Sequence, residues 1–184
     1  MALTAQEEGV DWEAALVQRA RRGDMRAFER LYREHIGRVY GLCLRLTRDP
    51  AYAEDCAQET FINAWRGLER FETRSSMRTW LHRIAVNVVL AKRRKPSVFI
   101  DAPSAVDSSV ETEWSLDTPV EEQEIEAAVK SLPDGARDVL VLCGIYGYSH
   151  IEASEMLGVA EGTCKAQLHR ARALMRQRLS AEAS

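Results

Sequence analysis

No stretch of this sequence approaches the roughly 20 consecutive apolar residues that a helix needs to cross a bilayer. Its first eleven residues are polar and acidic, without the basic and apolar halves of a secretory signal peptide. Membrane insertion is therefore not expected, and a cytoplasmic location is. Cysteine is scarce and scattered: Cys43, Cys56, Cys143 and Cys164 form no Cys-x-x-Cys and meet no paired histidines. That spacing argues against a zinc knuckle and against a disulfide-stapled secreted scaffold. Each of the four falls among apolar neighbours, where cysteine behaves as a small hydrophobe, so all four are expected in packing positions.

Basic residues are missing from one long segment. Between Asp101 and Glu126 there are nine acids and no Lys or Arg. The whole chain carries −3, so the remainder, freed of those nine acids, carries +6. Two basic lobes joined by an acidic strap differ from the mildly acidic globule that the total suggests. Basic lobes point toward nucleic acid, although many charged surfaces are merely solvated.

The hydrophobic pattern has the helical period throughout, and no run alternates as a strand would. An all-α protein is expected, with two small helical domains joined by a flexible acidic linker, the second containing a helix-turn-helix. Residues 1–11 are read as a disordered N-terminus. The first lobe spans residues 12–95. In it Phe28, Leu31, Tyr32, Ile36, Val39, Tyr40, Cys43 and Leu46 mark one face of a long helix. Asp49-Pro50 breaks the chain, and a second helix follows to about Arg66. A third, from about Ser76 to Arg94, is expected to bury Leu81, Ile84, Ala85, Val88 and Val89. Residues 96–119, rich in Ser, Asp, Thr, Glu and Pro, bury too little apolar surface to offset chain entropy and read as the linker. Trp114 stands alone there, as a local packing contact or a docking residue. In the second lobe, residues 120–180, the Leu157-Gly158-Val159 turn separates two short helices, with Ser149 placed to cap the first.

The last helix carries the strongest physical signal. Cys164, Leu168, Ala171 and Met175 form an apolar stripe, while Lys165, His169, Arg172 and Arg176 form a cationic one beside it. Arg170 and Arg178 widen the cationic face, and no acid occurs between Thr163 and Leu179. Preceded by a glycine turn and a short helix, this arrangement fits a recognition helix in the major groove better than a solvated basic helix. On the third helix of the first lobe, Trp80, Arg83 and Asn87 share one side, with Arg74 and Arg78 nearby. A ring for stacking and cations for phosphate make a single-strand platform, but a Trp at helical spacing is equally well a core residue. The same helix ends in Lys92-Arg93-Arg94-Lys95, suited to backbone phosphates. On the second helix Asp55 and Glu59 lie one turn apart beside Glu54. No His, Lys or third carboxylate converges on them, so acid–base or metal chemistry is not expected, and the face is read as meeting a basic protein partner or merely solvent. No catalytic residue, metal or cofactor is expected anywhere.

These residues resemble a known family. Ala53-Glu54-Asp55-Cys56-Ala57-Gln58-Glu59-Thr60-Phe61 with Ala64-Trp65 is similar to the polymerase-binding helix of extracytoplasmic-function (ECF) sigma factors, of the sigma-70 family. Arg78-Thr79-Trp80-Leu81-His82-Arg83-Ile84-Ala85-Val86-Asn87 resembles the stretch with which these proteins melt and read the −10 element. Ser131-Leu132-Pro133, Gly147-Tyr148-Ser149, Leu157-Gly158-Val159 and Gly162-Thr163 resemble their −35-binding domain. The matches come in the family's order and cover nearly the whole chain.

The resemblance implies a promoter-specificity subunit of RNA polymerase rather than an enzyme. Glu54, Asp55, Gln58, Glu59, Phe61 and Trp65 would bind the clamp helices of the largest polymerase subunit. Arg74, Ser75, Ser76, Arg78, Trp80, Arg83, Asn87, Arg93 and Arg94 would hold the −10 strand, and Thr163, Lys165, Ala166, Gln167, His169, Arg170 and Arg172 would read the −35 duplex. The second lobe would also sit on the flap of the second large subunit. Partners are thus core polymerase, promoter DNA as duplex and single strand, and an anti-sigma factor. A DNA-binding regulator that never joins polymerase would use the second lobe but leave the acidic helix and Trp80 idle. A metal hydrolase built on Asp55 and Glu59 would lack ligands.

Overall fold

A computed structural model describes the backbone over residues 4–72, 74–94 and 120–182, and side chains over 12–72, 74–94 and 125–180. Every regular element among the described residues is helical. The chain forms two compact units, Met1–Leu90 and Ala91–Ser184. The expected linker, 96–119, and Trp114 within it lie outside the described residues.

The first unit holds α1 (Thr4–Arg21), α2 (Met25–Thr47), α3 (Pro50–Gly67) and all but the last four residues of α4 (Met77–Arg94). α1 begins at Thr4, within the stretch 1–11. Thr4-Ala5-Gln6-Glu7 has the S/T-x-x-E form of a helix start, and Gln6, Glu7 and Glu8 are good helix formers. Each break between helices has a local cause. Asp24 caps α2, its carboxylate accepting from the backbone N–H of Arg26 at 3.0 Å and Ala27 at 3.2 Å. Gly23, with φ of +89°, supplies the left-handed turn before it. At the far end Arg48 takes φ +66° and donates its N–H to the Leu44 carbonyl. Asp49 then caps α3 through Tyr52 N–H at 2.8 Å, with Pro50 in the first helical turn, where its missing N–H costs nothing.

The buried seam of α2 is Ala27, Leu31, His35, Val39, Leu42, Cys43 and Leu46. Against it lie the small residues of α3, Ala53, Cys56, Ala57, Thr60 and Ala64, which let the two backbones approach closely. The Thr60 hydroxyl is satisfied within its own helix, donating to the Cys56 carbonyl at 2.7 Å. On α4 Leu81, Ala85, Val88 and Val89 are buried as expected, while Ile84 is only half-buried and Met77, His82 and Val86 join the core.

The second unit holds α5 (Val120–Lys130), α6 (Asp134–Val139), α7 (His150–Leu157) and α8 (Glu161–Glu182). Between α6 and α7 the chain widens into a π-helical turn over Leu140–Ile145, in which the Tyr146 N–H reaches back five residues to Val141 at 3.1 Å. Ser149 caps α7 in a reciprocal box: its hydroxyl accepts from Glu152 N–H at 3.2 Å, and the Glu152 carboxylate accepts from Ser149 N–H at 2.9 Å. Gly158, at φ +66°, ends α7 and turns the chain into α8. Leu132, Ala136 and Ala171 centre the core, with Leu140, Leu174 and Met175 packed against them. Three of the four cysteines are buried as expected; Cys143, on the widened turn, is only half-buried. Its thiol neighbours the Cys164 sulfur on α8, and burial raises both groups, Cys143 to about 11.

Candidate nucleic-acid and polymerase interfaces

On α8 packing and charge separate cleanly. Cys164, Leu168 and Ala171 are buried, whereas Thr163, Lys165, Ala166, His169, Arg170 and Arg172 are exposed, as are Arg176 and Arg178. At 100° per residue, Ala166 and His169 lie opposite the buried stripe. The short Ala166 side chain leaves room there for a groove floor, and the cations flank it. Gln167 is half-buried, its carboxamide lying 3.4 Å from where a Cβ on Gly135 would stand, so it leans toward the start of α6. Lys165 is already paired: its ammonium is 2.6 Å from Glu161. That contact, with a smaller contribution from His150 of α7, holds the Glu161 carboxyl below its ordinary range.

On α4 Trp80 is half-buried, while Arg78, Arg83 and Asn87 are exposed, as is Arg94 at the far end of the helix. The Trp80 ring packs on Phe71, centroids 4.8 Å apart and planes tilted by 42°, with its edge beside Gly67. One side of the indole therefore belongs to the fold, and the residual exposure is what remains for a base. Ser76 serves as the N-cap of α4, its hydroxyl accepting from Thr79 N–H at 3.1 Å. Ser75 is half-buried, and the exposed Arg74 pairs with Glu72 at 3.0 Å. Arg93 is half-buried. Residue 73, inside the same loop, lies outside the described residues.

Two histidines are buried in the first unit, His82 on α4 and His35 on α2. His82 is 1% exposed, and desolvation, then the charges of Arg78, His35 and Arg38, lower it to about 4. It is neutral at pH 7. His35 is equally enclosed, and its Nε2 lies 2.7 Å from the Glu13 carboxylate, joining α1 to α2.

On α3 Glu54, Asp55 and Gln58 are exposed and Glu59 is half-buried, so the acids share a solvent edge, with Gln58 donating to Glu54 at 3.4 Å. Phe61 is buried and Trp65 half-buried. Both take part in edge-to-face pairs with α2: Tyr32–Phe61 at 4.8 Å and Phe28–Trp65 at 4.9 Å. These rings, together with Ile62, Gln58 and Arg66, line an open groove of about 540 Å³. Ile62 is half exposed and Met25 more so. The sequence reading placed Phe28 and Tyr32 on the buried face and overlooked Ile62. The available signal was phase: Phe28 and Tyr32 each stand one residue past the true seam positions, Ala27 and Leu31. Among the described residues, no three His, Cys, Asp or Glu side chains converge as a metal site would require, and no helix is long and apolar enough to cross a membrane.

Residues 31–97 match the family Sigma-70 region 2, and residues 122–175 match Sigma-70, region 4. The chain belongs to the ECF sigma factors. It is 31% identical over 176 residues to the ECF RNA polymerase sigma factor SigW of Bacillus subtilis (strain 168), covering 89% of this chain and 94% of that one. It is 34% identical over 170 residues to the RNA polymerase sigma-H factor of Pseudomonas aeruginosa, covering 85% and 88%. Among solved structures it is similar to CnrH in complex with the cytosolic domain of CnrY, with a TM-score of 0.62, 25% identity and coverage of 92% and 98%. A likeness of the same TM-score and identity relates it to the sigma factor RpoE in complex with the anti-sigma factor NepR from Bartonella quintana, covering 83% and 96%. This sigma factor is thus a promoter-directing transcription factor and not an enzyme. The region 2 match begins within α2 and runs through α4, and the region 4 match falls on α5 through α8.

Proposed function

We propose that this sigma factor, working in the cytoplasm, divides promoter recognition among three of its surfaces. The α8 face of Thr163, Lys165, Ala166, His169, Arg170 and Arg172 enters the −35 major groove. Its first residues meet base edges and its later arginines meet phosphates. Gln167, turned toward Gly135, acts from the margin of that face. The region around Trp80, with Arg74, Ser75, Arg78, Arg83, Asn87, Arg93 and Arg94, holds unstacked bases of the −10 strand. Unstacking costs a few kcal/mol, which stacking and a pocket must return. Ser76 supports this surface by fixing the start of α4.

The third surface is the α2–α3 groove. Its floor of Phe61 and Trp65, extended by Phe28, Tyr32 and Ile62, suits an apolar anchor of the polymerase clamp helices, while Glu54, Asp55 and Glu59 meet basic residues at the rim. Region 4 additionally rests on the flap of the second large subunit. Control by an anti-sigma factor, the type of partner present in the RpoE complex, follows the same logic, since covering either DNA surface or the groove would disarm the protein.

The single observation that carries the −35 reading is the separation of buried and cationic stripes on α8 behind a capped helix and a glycine turn. Run-off transcription with core polymerase on genomic fragments, with start-site mapping, tests the whole. Discrete starts that require both proteins are expected. Duplex binding without any association with core polymerase would instead identify a free-standing regulator.

A further inference from the structure

One acid stands at the head of the recognition helix, and no other follows until Glu182 at its far end. Glu161 is exposed, one helical turn before Lys165, and its Oε1 lies 2.6 Å from the Lys165 ammonium. The groups around it are Lys165 on its own helix and His150 at the start of α7, both of which favour the ionised carboxylate. An exposed pair of this kind contributes little to folding. A negative charge beside DNA is also electrostatically unfavourable unless it acts on the lysine. Its effect there follows from the chemistry of the two acceptors that DNA offers.

A free lysine that binds a phosphate releases condensed counterions, which makes the contact strong and indifferent to sequence. Lys165 already carries its counterion. Binding a phosphate would mean surrendering Glu161 and leaving that carboxylate next to the DNA backbone. A guanine edge imposes no such exchange: O6 and N7 are neutral acceptors, and an ammonium has three donors. Lys165 can keep one donor on Glu161 and direct others to the base.

We propose that Glu161 is a specificity-determining positioning residue of the −35 interface, which denies Lys165 to phosphate and presents it to a guanine edge. This deepens the reading of α8 as the −35 helix and rests on it.

The test uses the full chain bound to core polymerase, a mapped promoter, single −35 base-pair replacements in it, and a scrambled duplex of equal length. Glu161→Gln should tighten binding to the scrambled duplex several-fold and steepen the slope of log K against log[salt] by up to about 0.9. It should also reduce discrimination at one G·C pair by about tenfold. Lys165→Ala should lose discrimination at that same pair, and adding Glu161→Gln to it should change nothing further there. If Lys165→Ala loses discrimination while Glu161→Gln changes neither the salt slope nor base preference, Glu161 has no such role. If instead Lys165→Ala alters no −35 position, Lys165 reads no base and the proposal fails; if Arg170→Ala is equally silent, the assignment of α8 fails with it. Because Glu161 and Lys165 are both exposed, neither variant should move the melting temperature.

Discussion

The two units solve the same problem, exposing a binding surface without losing a core, in opposite ways. In the second unit one helix carries both tasks on separate stripes, so Cys164, Leu168 and Ala171 pack while Lys165, His169 and Arg170 face outward. In the first unit the same side chains do both. Trp80 packs on Phe71 and keeps an edge exposed, and Phe28, Tyr32 and Trp65 hold α2 against α3 while lining a groove. Where the tasks separate, function can be removed without cost to stability; where they coincide, the two should fall together.

The largest expected departure is at Trp80. Trp80→Ala should destabilise the first unit by about 3 kcal/mol, the lower part of the range for large aromatics because the ring is only half-buried. Promoter opening, read by permanganate reactivity of −10 thymines, should also be impaired. Trp80→Phe separates the effects by retaining most of the packing. If thymine reactivity is unchanged in both variants, the indole has no −10 role. Ile62 is the exception that sharpens the contrast, being a half-exposed member of the groove. Ile62→Glu should weaken core-polymerase binding by about 2 kcal/mol or more yet shift stability by under about 0.5 kcal/mol. Pull-down titration and a thermal melt together decide this.

The units should also respond differently to acid. The folded value of His82 lies near 4, below the ordinary 6.5, so the unfolded chain binds the proton more readily. The stability it contributes is complete above about pH 6.5 and is lost as pH falls from there toward 4. Between pH 6.5 and 5 the loss should be about 2 kcal/mol. The second unit, whose His150 is half-buried and His169 exposed, serves as the internal control. A His82→Gln variant that still folds should flatten the first unit's pH profile; an unchanged profile would show that another group is responsible. The smallest structural effect should be that of Arg170→Ala, which leaves melting within about 0.5 kcal/mol. It should weaken −35 duplex binding by about 1–3 kcal/mol, measured by holoenzyme titration.

The same contrast explains what the sequence could reveal. The two stripes of α8, the Ser149 cap, the Gly158 turn and the Asp49-Pro50 break were all legible, because each depends on local chemistry and helical phase. The groove was not. Phe28 and Tyr32 are apolar at helical spacing, and only the packing of small α3 residues against Ala27 and Leu31 decides that the rings stand at the margin. His35 and His82 were also missed as core residues, since burial of a titratable ring depends on neighbours remote in sequence, such as Glu13 and Arg38. The π-helical turn that leaves Cys143 half-buried gave no local sign. The pairing of Glu161 with Lys165 was available from their four-residue spacing.

The contact between Cys143 and Cys164 gives the protein a native chemical reporter. Both thiols are held protonated, so alkylating reagents should modify them slowly in the folded state. Cys164 has no exposed surface until α8 separates from the widened turn, whereas Cys143 is already half accessible. The lag between the first and second label on this pair would therefore time the opening of the recognition helix at Cys164, without any added dye. Cys43 and Cys56, both fully enclosed in the first unit, would record the opening of the other half in the same mass spectrum.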